Sequence, residues 1–181
     1  FTKKELFMIL YIGDKEQYDY FSQFSSQITA ECELGEAEKI ILTEDSLRAA
    51  SAVEYAAASG IPLLGVLEGF EAVIKTLDGT CIPLENCSEG KQELAVVDPE
   101  VPIYRNLEHV ITICRGIPVG IDETTMPGFL RCISRSEAGD IIAIEFLRGD
   151  GMPSDLYALN VYLNSSLTRM GDQVVKNFLN L

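Results

Sequence analysis

The sequence predicts an α/β fold: one domain over residues 1–181, with a doubly wound, mostly parallel central sheet and helices on both faces. Three observations predict it. Strand-like and helix-like patterns alternate through the first half. The strands there are continuously apolar, as strands covered on both faces are. And the joints between them carry helix-start and helix-stop residues in the right order.

Residues 5–12, apolar after Glu5, read as a buried parallel strand. Residues 15–29 place Phe21, Phe24 and Ile28 on one helical face. K-I-I-L at 39–42 is a second core strand. Asp45 or Ser46 in T-E-D-S can then cap an alanine-rich helix running to Ser59, and Gly60 with Pro62 supplies its stop. A strand at 62–66 and a helix at 69–77 follow. In the second half, short apolar runs at 93–97, 109–114, 128–134, 140–146 and 156–163 read as extended and partly antiparallel. The polar stretch 84–92 reads as a loop, and Met170, Val174, Phe178 and Leu181 form one stripe of a closing helix. The centre is therefore flavodoxin-like.

Composition narrows the partners. With 28 acidic against 14 basic residues the net charge is -14, which argues against nucleic acid and against anionic membranes. No apolar run reaches the roughly 18 residues of a membrane span, and no signal peptide is visible, so the expected location is cytoplasmic. The five cysteines include no C-x-x-C and predict reduced, mostly buried thiols rather than a disulfide or zinc framework. No cofactor is expected.

One stretch looks built for chemistry. In I-P-L-L-G-V-L-E-G-F-E-A-V, residues 61–73, an apolar strand turns sharply into a helix. Such a turn, a nucleophile elbow, lifts one side chain out of the sheet's end. The lifted residue here is Leu67.

Three segments carry a resemblance. G-I-P-L-L-G-V-L-E-G-F-E-A-V-I-K-T-L-D-G-T (60–80), M-P-G-F-L-R-C-I-S-R-S-E-A-G-D-I-I-A-I-E (126–145) and Y-A-L-N-V-Y-L-N (157–164) occur in the order and spacing of motifs in the class I glutamine amidotransferase superfamily. The chain resembles most its γ-glutamyl hydrolase and γ-glutamyl-GABA hydrolase branch, over roughly residues 38–181. The resemblance implies a Cys-His-Glu triad in which cysteine attacks the glutamine amide, histidine takes its proton and the carboxylate orients the histidine. At the matching positions stand Leu67, Tyr162 and Asn164. Leucine has no nucleophilic atom, a tyrosine is a poor base near neutrality, and asparagine cannot balance an imidazolium. The family's P-G-G turn, which lends an N–H to the oxyanion, is replaced by L-T-E-D at 42–45, whose carboxylates oppose such a charge.

These departures predict a catalytically inactive homologue, a pseudoenzyme of peptidase C26-like type, acting by binding as a regulatory or structural protein, with a protein partner or self-association. Two alternatives are carried: a sensor that retains a γ-glutamyl or amino-acid cleft, and a hydrolase with relocated catalytic residues. Candidate cleft residues are Glu44, Asp45, Glu68, Arg115, Tyr157 and Tyr162. Leu67 is expected to plug the old pocket, and the elbow to relax, because positive φ is uncomfortable for leucine. Glu44, Asp45 and Glu68 suit a hard cation by ligand type, but Asp45 has a competing role as a cap, and no metal is assigned. Arg115 at the rim would hold an anion or pair with a surface carboxylate. His109 and Cys114, five residues apart on a strand, face opposite ways and do not form a dyad.

Overall fold

The computed structural model describes residues 7–168 and 170–181. Residues 5 and 6 of the expected first strand lie outside the described residues. The elements in chain order are β1 (Ile9–Ile12), α1 (Lys15–Phe21), β2 (Ile28–Thr29), β3 (Lys39–Leu42), α2 (Leu47–Ser59), β4 (Leu63–Val66), α3 (Glu68–Thr76), β5 (Cys81–Pro83), β6 (Gln92–Val97), β7 (Val110–Cys114), β8 (Val119–Ile121), β9 (Leu130–Ser136), β10 (Ile141–Leu147), β11 (Pro153–Leu159) and α4 (Gly171–Leu179).

Nine of the strands form one sheet in the order β2-β1-β3-β4-β11-β10-β9-β6-β7, and β5 pairs with β8 beside it. From β2 to β11 every pairing is parallel. From β11 to β7 every pairing is antiparallel. The change of pattern read between the two halves of the sequence is thus a change of pairing within a single sheet. β1, β3 and β4 are buried at every position, which is why they lack alternation.

Two apolar clusters flank the sheet. One gathers Phe21 of α1 with Val174, Val175 and Phe178 of α4. The other gathers Ala49, Ala52, Val53 and Ala56 of α2 with Phe70, Ala72, Val73 and Ile74 of α3. The small buried face of α2 lets that helix lie close to its neighbours.

The expected helix over 15–29 is cut short. α1 stops at Phe21, and Ile28–Thr29 instead pair with Ile9 and Leu10 as the edge strand β2. Ser25 explains the break: its Oγ accepts from the Gln27 N–H at 3.1 Å, a local turn that competes with the helical bond. Phe24 still packs on the core, 5.3 Å from the Tyr20 ring, so the apolar periodicity marked burial correctly and helix incorrectly. At α2 the cap is Ser46, whose Oγ accepts from Ala49 N–H at 3.1 Å; Gly60 ends it at φ 77°. Asp45 is not the cap.

Two buried charges tie distant segments together. Lys39 donates to the carbonyls of Phe178 (3.3 Å) and Leu179 (2.5 Å), placing a cation at the C-terminal, negative end of α4. Glu145, 1% exposed, accepts from Arg131 through Oε1 while Oε2 has no partner among the described residues. Burial raises the Glu145 carboxyl above the usual range, against the opposing pull of Arg131. A carboxyl raised in the folded state binds its proton more tightly there than when unfolded. Its contribution is therefore full below the unfolded value and is lost as pH rises through the folded one. Glu145→Gln is expected to gain stability relative to the parent as pH is raised from about 4 to 7, measured by urea unfolding across that range; a difference that does not vary with pH would contradict this.

Candidate functional site: the elbow and the strand ends around it

The candidate site lies where β4, β3 and β11 end. In open α/β sheets the carboxyl ends of parallel strands are where ligands bind. Leu67 follows β4 directly, precedes α3, and has φ 59° and ψ -117°. The expected relaxation has not happened: the strained elbow geometry is kept with a leucine in it. Two glycines explain why. A Cβ on Gly65 would sit 2.7 Å from the Gly69 carbonyl oxygen, and a Cβ on Gly69 only 2.0 Å from that of Leu42. Helix α3 therefore rests directly on the backbone of β3 and β4, and the chain must turn within Leu67 to enter it. The Leu67 N–H donates to Leu159 O at 3.1 Å, locking the turn to the end of β11. Strain of this kind costs on the order of 1–3 kcal/mol and persists only where its surroundings over-determine it.

The Leu67 side chain is 3% exposed and belongs to the same apolar cluster as Val161 and Leu163. Tyr162 packs against that cluster, and its hydroxyl donates to Glu89 in the 84–92 loop. Burial, that hydrogen bond, and the nearby charges of Glu89 and Glu68 all push the phenol well above its ordinary value. Tyr162 is thus a fixed hydrogen-bond donor and not a base. Asn164 lies beyond it and is exposed.

The turn after β3 is also committed elsewhere. The Thr43 N–H donates to Ile12 O at 2.9 Å, and Thr43 Oγ1 lies 2.6 Å from Tyr11 Oη. Tyr11 in turn donates to Asp14 O at 2.9 Å. Glu44 accepts from Ser46 Oγ at 2.7 Å, and Asp45 pairs with Lys75 at 2.9 Å, which also holds Glu71 at 2.6 Å. Glu68 opens α3 and is exposed. So of the three carboxylates read as a possible cation set, Glu44 and Asp45 are held by separate partners and Glu68 faces solvent. Among the described residues no group of three or more His, Cys, Asp and Glu side chains is placed to hold a metal ion.

Two candidates are turned inward. Tyr157 is fully buried, with its hydroxyl donating to Asp155 at 3.2 Å near the start of β11, away from the elbow. β11 is covered on both faces from Leu156 to Leu159, so Tyr157 is in the core, which the motif match alone did not reveal. Arg115 is 2% exposed rather than at the rim. It pairs with Glu93 at 3.0 Å and Asp140 at 3.4 Å, as the carboxylate-pairing reading of it expects. His109 is exposed before β7 and Cys114 is buried at its other end, so they form no dyad.

Sequence reasoning missed Asn160 and Glu89. Asn160 is fully buried and its Nδ2 donates to the carbonyls of Ile117 and Val119, both at 2.9 Å. It shapes the 115–119 turn, where a Cβ on Gly116 would meet its Oδ1 at 2.1 Å. A polar residue inside the apolar run of Y-A-L-N-V-Y-L-N is the signal that marks it. Glu89 carries no such signal, because its partner is distant in sequence.

Sheet order, glycine-braced elbow and flanking helices define a class I glutamine amidotransferase-like α/β fold. Solved structures share it: a GMP synthase subunit protein from Thermoplasma acidophilum (TM-score 0.76, 13% identity, 96% of this chain and 93% of that one) and a glutamine amidotransferase from Thermotoga maritima (TM-score 0.70, 13% identity, 96% and 81%). In sequence the chain is similar to aminodeoxychorismate synthase component 2 of Klebsiella aerogenes, 27% identical over 198 residues, covering 96% of this chain and all of that one. No family model matches the chain. No helix among the described residues is long and apolar enough to cross a membrane.

Proposed function

We propose that this protein is a glutamine amidotransferase-like pseudoenzyme that acts by binding, as a non-hydrolytic subunit or regulator. The observation that carries the reading is Leu67: the elbow keeps its geometry while its apex holds a buried hydrocarbon side chain. The protonated Tyr162 and the exposed Asn164 support it, since together they supply neither a base nor an orienting carboxylate. The engaged Thr43 N–H supports it further, because the turn after β3 is bound within the fold. The proposal turns on these residues and not on a branch of the superfamily. It holds for the γ-glutamyl hydrolase resemblance and for relatives that are components of synthases. Relatives of that kind also favour a protein partner over a free-standing role.

The sensor reading needs an open γ-glutamyl cleft at the elbow. The burial of Leu67 and the bond from Tyr162 to the 84–92 loop weigh against it. The test is direct: incubate the protein with glutamine and with γ-glutamyl peptides and measure released ammonia and glutamate. Release at the level of a protein-free control is expected. Turnover that survives both Leu67→Ala and Tyr162→Phe would place a working site elsewhere and overturn the proposal.

A further inference from the structure

We propose that the outer edge of the sheet, at Val110 to Thr112 of β7, pairs antiparallel with the same edge of a second copy of this chain and closes a two-fold dimer. β7 is the last strand of the sheet. Its register fixes which main-chain groups face outward. The Val97 N–H donates to His109 O and the Arg115 N–H to Lys91 O, so the odd-numbered residues of β7 turn their N–H and C=O toward β6. Val110, Thr112 and Cys114 turn theirs away. Cys114 is already engaged: its N–H donates to Thr168 Oγ1 at 2.7 Å, and its carbonyl accepts from the Tyr162 N–H at 3.0 Å. The N–H and C=O of Val110 and Thr112 have no hydrogen-bond partner among the described residues. They open on a groove of about 330 Å³ whose walls include Asn106 and Met170.

This edge lacks the usual protection. Sheet edges are ordinarily blunted by shortness, by lysine or proline, or by a covering segment. The opposite edge, β2, has two residues, whereas β7 has five, V-I-T-I-C, with neither a charge nor a proline. The sheet face beside it is bare as well. Leu94, Val96 and Val110 are 47%, 45% and 46% exposed, and the apolar cluster beneath α2 and α3 contains no residue of β6 or β7.

Hydrogen-bond matching and charge select a second copy as the occupant. With the two-fold axis at Ile111, Val110 of each copy lies opposite Thr112 of the other, and the free groups of the two edges satisfy one another with none left over. An axis at Thr112 would need the Cys114 groups that Thr168 and Tyr162 already hold, and a longer foreign strand would meet the same block. Val96 and Val110 would then continue into Thr112 and Leu94 of the second copy as one row across the joined sheets. Gln92, Leu94, Val96, Val110 and Thr112 are uncharged, and Arg135, opposite Val96, is paired with Glu123 at 2.7 Å. In a chain of net charge -14, such a strip is where a second copy meets least repulsion, and it offers a basic partner no carboxylate. β7 lies five strands from β4, so the dimer leaves the elbow uncovered, and the inference stands whether or not the elbow is inactive.

Sedimentation velocity of the full chain, over a concentration series into the upper micromolar range, is expected to show a monomer–dimer equilibrium. Amide hydrogen exchange at Val110 and Thr112 is expected to slow as the dimer fills. Thr112→Pro removes an outward N–H and leaves the ladder to β6 whole. It takes one donor from each copy and is expected to weaken dimerisation about thirtyfold. Val110→Glu, at an exposed position, sets a carboxylate on the edge of an acidic chain and is expected to keep the protein monomeric throughout the series. A parent chain that is monomeric at every concentration, leaving the edge for a strand of another protein, would overturn the proposal. So would a dimer that Val110→Glu leaves intact, or one in which the Val110 and Thr112 amides exchange as fast as in the monomer.

Discussion

Gly69→Ala is expected to destabilise this protein by about 3 kcal/mol, at the upper end of what overpacking a core produces. Alanine is the better helix former by about 1 kcal/mol, so in an open helix the change would stabilise. Here the added methyl carbon would lie 2.0 Å from the Leu42 carbonyl oxygen. The obstacle is backbone, not a flexible side-chain tip, so α3 must move away from β3 to make room. That movement would also loosen the close approach of α3 to β4, where a Cβ on Gly65 would lie 2.7 Å from the Gly69 carbonyl oxygen. Gly60→Ala is the control: it has φ 77° but no atom within 4 Å of the new carbon. It should lose only about 1 kcal/mol of left-handed strain. Urea unfolding of the two variants checks both figures, and equal losses would show that α3 does not rest on the strand as described.

The second expected result concerns the elbow apex. Leu67→Ala removes a buried side chain and leaves the strain in place, a loss of about 3 kcal/mol. Leu67→Gly removes the same side chain but can occupy φ 59° freely. The relieved strain, on the order of 1–3 kcal/mol, offsets part of the loss. Glycine is also tolerated at the residue preceding a helix. The stability order should therefore be leucine, then glycine, then alanine, reversing the usual ranking of the last two. Alanine above glycine in unfolding experiments would mean that the turn relaxes in solution.

Both results bear on why so sharp a turn is built around a leucine. Packing answers it. The glycine pair lets α3 lie on β3 and β4, and that contact needs a sharp entry whatever side chain sits at the apex. Leucine tolerates the strained angle because its burial among Val161, Leu163 and their neighbours offsets it. The elbow is thus a structural joint, with or without chemistry.

How much of this was legible beforehand depends on the range of the interaction. Residues 39–42 were readable to the residue and the 47–59 helix to within one, because continuous apolarity, a cap at Asp45 or Ser46 and a Gly60 stop act over one or two turns. The break after Phe21 was not, since Ser25 offers a turn that competes with the helix and β2 exists only by pairing with β1. The elbow could be located from its glycines, but its strain could not, since that depends on how far Gly69 lies from Leu42. Arg115 shows the same limit: its sequence position matched a rim, yet Glu93 and Asp140, brought in by β6 and the β9–β10 turn, draw it inward.

By itself, then, the sequence determined the alternation of strands and helices, the parallel half of the sheet, and the position of the sharp turn at Leu67. Only the tertiary structure decided that the elbow stays strained, that Tyr162 is held as a donor by Glu89, that Tyr157 and Arg115 turn inward, and that β7 forms the outer edge of the sheet. The physical reason is separation along the chain. Periodicity, caps and turns act between residues a few positions apart, whereas burial, ion pairs and sheet edges are set by segments that only the folded sheet brings together.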